Sequence, residues 1–325
     1  MLGDEAGRFL LFKALMVAGL VYSLPMLLEI RLSPQLNLWI YGYFQHNFIQ
    51  MMREGGFRPI VFLYHGLWAA FFAFFAMSAT LALARARRGV KRELLLLASA
   101  YLAGVLVLCK SLGSALYGAA MIPLILLAKP RLQIRLAMVL AALTFSYPLL
   151  KSLDLVPTDT LVSWARDYSE ERGASLKFRI DNENVLFERA RERPVLGWGS
   201  WGRNQPHHPI TGELLTVTDG RWILTLGKFG WLGFLAEFGL LLVPIWLIWR
   251  QARRPGAEVP ELVGPMTLML AVNCVDLIPK ATITTMTWLL AGSLVGAAEQ
   301  MRATYRPPVP GLQKPPVHGK LETVL

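Results

Sequence analysis

Arg179, Arg203 and Arg221 fall within one polar stretch of an otherwise apolar chain, roughly residues 151 to 222. A guanidinium grips a phosphate through two parallel, charge-assisted hydrogen bonds. Fixed cations of this kind stabilise the charge that grows on a diphosphate leaving group without needing a metal. An acceptor hydroxyl would need a base. Asp219, at the start of the next apolar run, is placed to be one, or simply to cap a helix. Arg58 and Lys110 come from two other outward turns and are candidates to lie beneath or beside the arginines. Gly197 and Gly199 would let backbone approach a ligand or a lipid headgroup closely.

Other chemistries fit less well. Gly197, Gly199 and Gly202 satisfy the dinucleotide pattern literally. That motif needs a strand before it and a helix directly after it. Here a charged helical run precedes and a proline-rich loop follows. His207 and His208 are adjacent, so they point apart in regular structure, and no third ligand has zinc-like spacing. No nucleophile elbow of the GxSxG form is present. No metal and no cofactor are expected. Arg179 and Glu183 are four apart and share a helical face, so a surface ion pair is the plain alternative for Arg179.

The elements that must position these groups are membrane helices. Of the 325 residues, 54% are hydrophobic and 17% charged, with mean hydropathy +0.43. A soluble domain is nearer a quarter charged. About eight apolar runs approach the roughly 20 residues of a span, near 9–30, 59–84, 94–109, 112–128, 134–150, 223–249, 262–278 and 281–299. In lipid the backbone must satisfy its own hydrogen bonds, so such runs are helical. The fold class expected is all-α: a polytopic transmembrane bundle of about eight spans with one large outer loop domain. It divides into membrane helices over 1–150 with a short outer loop at 31–58, the large loop at 151–222, further helices over 223–300, and a disordered tail at 301–325.

The net charge of +11 is not spread as a nucleic-acid site would be. It recurs in alternate connectors: Arg85 to Arg92, Lys129 to Arg135, Arg250 to Arg254, and Arg302 onward. Eight spans put all four clusters on one side, which the positive-inside rule makes cytoplasmic. The large loop then lies outside the cytoplasm. Within it, Leu176, Ile180, Phe187 and Ala190 predict a helix over 176–192, ended by Arg193-Pro194. In 31–58, Pro34 predicts an interfacial helix with Trp39, Tyr41, Tyr43 and Phe44 at headgroup depth. Cys109 and Cys274 lie in or beside spans and read as small core residues. The first apolar run reads as a retained span.

At these motifs the chain resembles the bacterial O-antigen ligase/polymerase superfamily, over roughly residues 29 to 299. Ser175–Arg179 and Glu192–Gly199 resemble its arginine-led amphipathic helix and its Glu-Arg-Pro element leading to Gly-x-Gly. Asp219-Gly220, nine residues, then Gly230-Trp231-Leu232-Gly233 keeps the family's spacing, with Asp219 where the family has histidine. Gly55-Gly56-Phe57-Arg58-Pro59 is similar to the earlier family loop. Lys110-Ser111-Leu112-Gly113 stands where the family has Ser-Arg-Gly, keeping the charge but losing the bidentate fork. The resemblance implies an inner-membrane glycosyltransferase with a periplasmic loop. It would move a glycan from undecaprenyl diphosphate to an acceptor glycan or lipid, without metal. Arg179 would bind the diphosphate. Membrane lipids are the other expected partner, and nucleic acid is not one. Two other readings stay open. One is a transporter for an anionic lipid-linked solute, with Asp276 as its intramembrane acid. The other is a non-catalytic subunit of a polysaccharide assembly machine.

Overall fold

A computed structural model describes residues 2–53 and 55–305. The described residues form an all-helical fold, with 71% helix and almost no strand. Its helices are α1 Glu5–Leu32, α2 Leu36–Tyr41, α3 Gly66–Arg85, α4 Val90–Leu108, α5 Leu112–Leu127, α6 Pro130–Ser152, α7 Thr158–Tyr168, α8 Glu170–Arg191, α9 Arg221–Ala252, α10 Val263–Asp276 and α11 Thr285–Thr304. A two-residue hairpin, β1 Met52–Arg53 with β2 Gly56–Phe57, leads into Arg58. Helices stand at each of the eight apolar runs. Four of them, α1, α3, α6 and α9, are long and apolar enough to cross a membrane. α5 and α10 are shorter apolar helices of 16 and 14 residues. α3 and α10 sit at the centre, buried along nearly their whole length.

Contacts define two poles. Arg85 donates to the carbonyls of Ile125 and Ala128, and Arg131 to that of Ala257. Arg254 lies over the Tyr305 ring, and Arg87 over that of Phe9. All four basic clusters therefore share one end with the N-terminus. At the other pole, Glu29 holds the segment 60–61, Arg58 reaches Lys110, and α8 meets the nearby ends of α6, α9 and α10.

Some expected boundaries shift. The second apolar run begins at 59, but α3 starts only at Gly66, with His65 accepting the Leu67 amide as its cap. α8 begins at Glu170 rather than 176, and α7 precedes it. α11 continues to Thr304; the rest of the expected tail, 306–325, lies outside the described residues. The proline-led helix at 36–41 is present as α2, with Trp39, Tyr41 and Tyr43 exposed.

α9 is not straight. Gly230 has φ 63° and ψ −164°, outside any helical conformation. Arg221 Nε lies 2.6 Å from Glu237 Oε1, and Thr225 Oγ1 lies 2.7 Å from Glu237 Oε2. Residues 16 apart on a straight helix would be separated by about 24 Å. The limb 221–229 therefore folds back along the limb 231–252, and Gly230 is the hinge of a helical hairpin. Gly233 lets Phe229 pack against the second limb.

Candidate functional site

This second pole concentrates cations around Arg58. Its side chain is buried at 6% exposure. Its Nη2 donates to the Lys110 carbonyl at 2.9 Å, while its Nε has no hydrogen-bond partner. Burial, and then the neighbouring charges of Arg53, Arg179 and Arg172, push its pKa down to about 10. Lys110 Nζ donates to the Arg53 carbonyl at 2.9 Å. Gly56 leaves the room that this ammonium occupies, and Gly66 does the same for the Arg58 stem. Arg53 is ion-paired with Glu171 of α8. The hairpin, the α4–α5 turn and α8 thus converge on one basic patch.

Glu29 supports that patch and was not apparent in the sequence. Its carboxylate accepts the amides of Leu36 (3.1 Å), Ile60 (2.8 Å) and Val61 (2.7 Å). Val61 is fully buried with φ 52°, a left-handed conformation that β-branched residues avoid. Such strain costs about 1–3 kcal/mol. Hydrogen bonds to a charged group contribute about 1.5–3 kcal/mol each, so three of them offset it. A lone carboxylate near the end of an apolar run was the signal available.

Arg179 Nε lies 3.5 Å from Asp219 Oδ2, and its Nη1 donates weakly to the Pro279 carbonyl at 3.4 Å. The expected partner, Glu183, is engaged elsewhere. It accepts from Tyr147 (2.9 Å) and Trp222 (3.2 Å) and pairs with Lys151 at 3.5 Å. α8 turns Glu183 onto α6 and α9 and leaves Arg179 to the cleft. That cleft, lined by Arg179, Val217, Asp219, Ile278 and Pro279, holds only about 20 Å³, roughly one water. A diphosphate would have to part Arg179 from Asp219.

Burial raises the Asp219 pKa, and Arg179 lowers it in part. A carboxylate raised in the folded state contributes stability below its unfolded pKa of about 4 and loses it as pH rises through the folded value. Asp219→Asn should therefore remove a fall in melting temperature that wild type shows over that interval. Melting curves from pH 3.5 to 7 check this; parallel curves for the two proteins would sink it.

His65 also faces the patch. Burial, then His46, Arg58, Arg179 and Lys280, push its pKa down to about 3. It is neutral, and with Nδ1 accepting the Leu67 amide it presents Nε2–H. It can donate a hydrogen bond there but cannot act as a base in that tautomer.

The remaining expected residues serve elsewhere. The Arg221 guanidinium is held by Glu237 inside the α9 hairpin. Arg203 Nε donates to the Ser200 carbonyl at 3.2 Å, and the side chain covers Gly199. Gly197 packs closely on the backbone of Lys228 and Gly230, and Gly199 on the Arg203 guanidinium. The amides of Trp198 and Gly199 donate to the carbonyls of Gly227 and Lys228, each at 2.8 Å. A Cβ on Gly197 would lie 2.6 Å from the Gly230 amide nitrogen.

Beside the patch is a buried ion pair. Asp276, fully buried, accepts from Lys280 (2.6 Å) and Thr282 (3.0 Å), and Tyr117 also bonds it. Asp276 stands out in the sequence as an intramembrane acid; Lys280, four residues on and just past the apolar run, does not. Lys280 Nζ lies 6.0 Å from the Phe71 ring centroid. Phe71 and Thr282 in turn line an apolar groove of about 610 Å³ between α3 and the start of α11, with Leu63, Trp68, Phe75 and Trp288.

The fold and site define a helical membrane protein with a cation-rich patch, a buried-edge carboxylate and an apolar groove at one pole. Among the described residues no three His, Cys, Asp or Glu side chains gather as a metal site. No protein-family model matches the chain, and no curated protein matches it.

Proposed function

We propose that the protein is a bacterial inner-membrane glycosyltransferase of the O-antigen ligase/polymerase kind. It would move a glycan from a polyprenyl-diphosphate carrier to an acceptor sugar at the periplasmic face. The observation that carries this reading is Arg58, buried with an unpartnered Nε and pressed by three other arginines. An anion entering there would relieve the repulsion, and a diphosphate offers enough oxygens to satisfy several guanidinium groups. The apolar groove, whose Phe71 ring lies 6.0 Å from Lys280 Nζ, offers the isoprenoid chain a place. The positive-inside rule puts the basic pole in the cytoplasm and this patch opposite.

In the step proposed, the acceptor hydroxyl oxygen attacks the anomeric carbon. The bond from that carbon to the diphosphate oxygen breaks, and the electron pair leaves with the diphosphate. The acceptor proton passes to Asp219, whose carboxylate burial makes more basic than a free one. The arginines hold the charge that develops. Asp219 is not the cap of α9, since Gly220 holds that position and no side chain bonds the first amides; its carboxylate faces Arg179 instead. Replacing Asp219 by His and by Asn tests the base: His should retain product and Asn should lose it. Unchanged yield in both would reduce Asp219 to an ion-pair partner of Arg179.

The buried Asp276–Lys280 pair favours a second reading, a transporter, since ionisable groups at membrane depth commonly mark a translocation path. Purified protein in liposomes decides between them. Elongation or ligation of a lipid-linked oligosaccharide supports the transferase. Movement of that lipid across the bilayer without product supports the transporter. Neither activity leaves the non-catalytic subunit.

A further inference from the structure

Residues 193–202 leave α8 and turn against the hinge of α9. Trp231 N donates to the Pro194 carbonyl at 2.7 Å, and Leu232 N to the Val195 carbonyl at 3.2 Å. In the other direction, Trp198 and Gly199 donate to Gly227 and Lys228. These four bonds satisfy four of the backbone groups that the break at Gly230 releases: two amides and two carbonyls. In lipid, groups so released cannot be left open.

The outward surface of this junction is apolar. Val195 and Leu196 are 65% and 69% exposed, and Trp201 is 93% exposed. Phe229, Leu232 and Leu235, bonded to or following that backbone, are exposed as well. Their surface continues down α9 through Leu240, Val243 and Trp246, the face of a helix apolar enough to span. The limb 231–252 is about 33 Å long, close to the roughly 30 Å hydrocarbon core. It ends in Arg250 and Arg253, so its hinge falls at the opposite boundary of the core. Trp198, beside the hinge, lies between Arg189 (3.4 Å) and Arg193 (4.2 Å). Tryptophan flanked by cations suits the headgroup layer.

We infer that residues 194–202 are seated in the outer leaflet. Val195 and Leu196 touch acyl chains at the headgroup boundary, and Trp201 lies in the headgroup layer. The occupant of this surface is the bilayer itself. The seat fixes the depth of the C-terminal end of α8, and it holds whether or not the protein transfers glycans.

The test is a depth measurement on the full chain in phospholipid liposomes. Val195→Cys, Leu196→Cys and Trp201→Cys each take a nitroxide label, and Lys177→Cys, exposed on α8, supplies the aqueous reference. Native Cys109 and Cys274 are buried, and the unsubstituted chain carried through labelling sets the blank. All three target side chains are exposed, so labels there displace no packing. Power saturation should show oxygen collisions exceeding those of a water-soluble nickel chelate at 195 and 196, several-fold relative to 177, with 201 between. Nickel accessibility at 195 and 196 equal to that at 177 would overturn the inference.

Discussion

Arg179→Ala is expected to lower glycan transfer by at least about 100-fold, the usual effect of deleting one donor aimed at developing charge. The protein should remain folded and inserted. These two expectations separate because Arg179 contributes little to the resting structure. Its guanidinium is 3.5 Å from Asp219 and 3.4 Å from the Pro279 carbonyl, both long contacts. The pair is 29% and 34% exposed, and ion pairs of that kind contribute about 0–1 kcal/mol. α8 stays docked through Glu183, whose bonds to Tyr147, Trp222 and Lys151 do not involve Arg179. Arg179→Lys should recover part of the rate, since it keeps the charge but not the planar fork. Transfer to a defined acceptor in liposomes, read beside the melting temperature, tests both halves. Wild-type yield from the alanine variant would remove the mechanism.

How far the sequence could reach is visible in particular residues. Apolar run length located all eight bundle helices, because lipid leaves the backbone no alternative to a helix. The alternating basic clusters fixed which connectors share a pole, and Arg85, Arg131 and Arg254 bear that out by touching one another's segments. Periodicity found α8 but not its first six residues, which Glu170 and Glu171 open without an apolar signal. It also could not say which of two carboxylates Arg179 would face. Glu183 at i+4 was the local choice, yet Trp222 and Lys151 claim it, and those contacts join residues more than 30 apart. The contact of Arg221 is hidden from the sequence for the same reason. Its partner, Glu237, is reached only if the helix folds in half. Gly197 and Gly199 looked like a ligand cradle because glycine spacing says that something comes close, and not what.

Gly230→Ala should be the most damaging single-atom change in the chain. Its φ of 63° with ψ −164° is a region essentially reserved for glycine. A Cβ there would also lie 2.5 Å from the Pro194 carbonyl oxygen. Backbone strain of about 1–3 kcal/mol adds to overpacking of about 1–3 kcal/mol, so a loss of about 2–6 kcal/mol is expected. Alanine also favours an unbroken helix. Straightening α9 would pull Arg221 from Glu237 by tens of ångströms, about 24 Å on ideal geometry. It would leave the Gly227 and Lys228 carbonyls without the amides of Trp198 and Gly199. Asp219 sits two residues before that limb, so its distance from Arg179 depends on the same bend. Gly239→Ala is the control: it lies in the same helix, and nothing is within 4 Å of the added methyl. There alanine should be neutral or stabilise by up to about 1 kcal/mol. Thermal unfolding of both variants in the same detergent measures the contrast. If the two variants melt together, the hinge carries no strain, and the folded-back limb is not what holds Asp219 against α8.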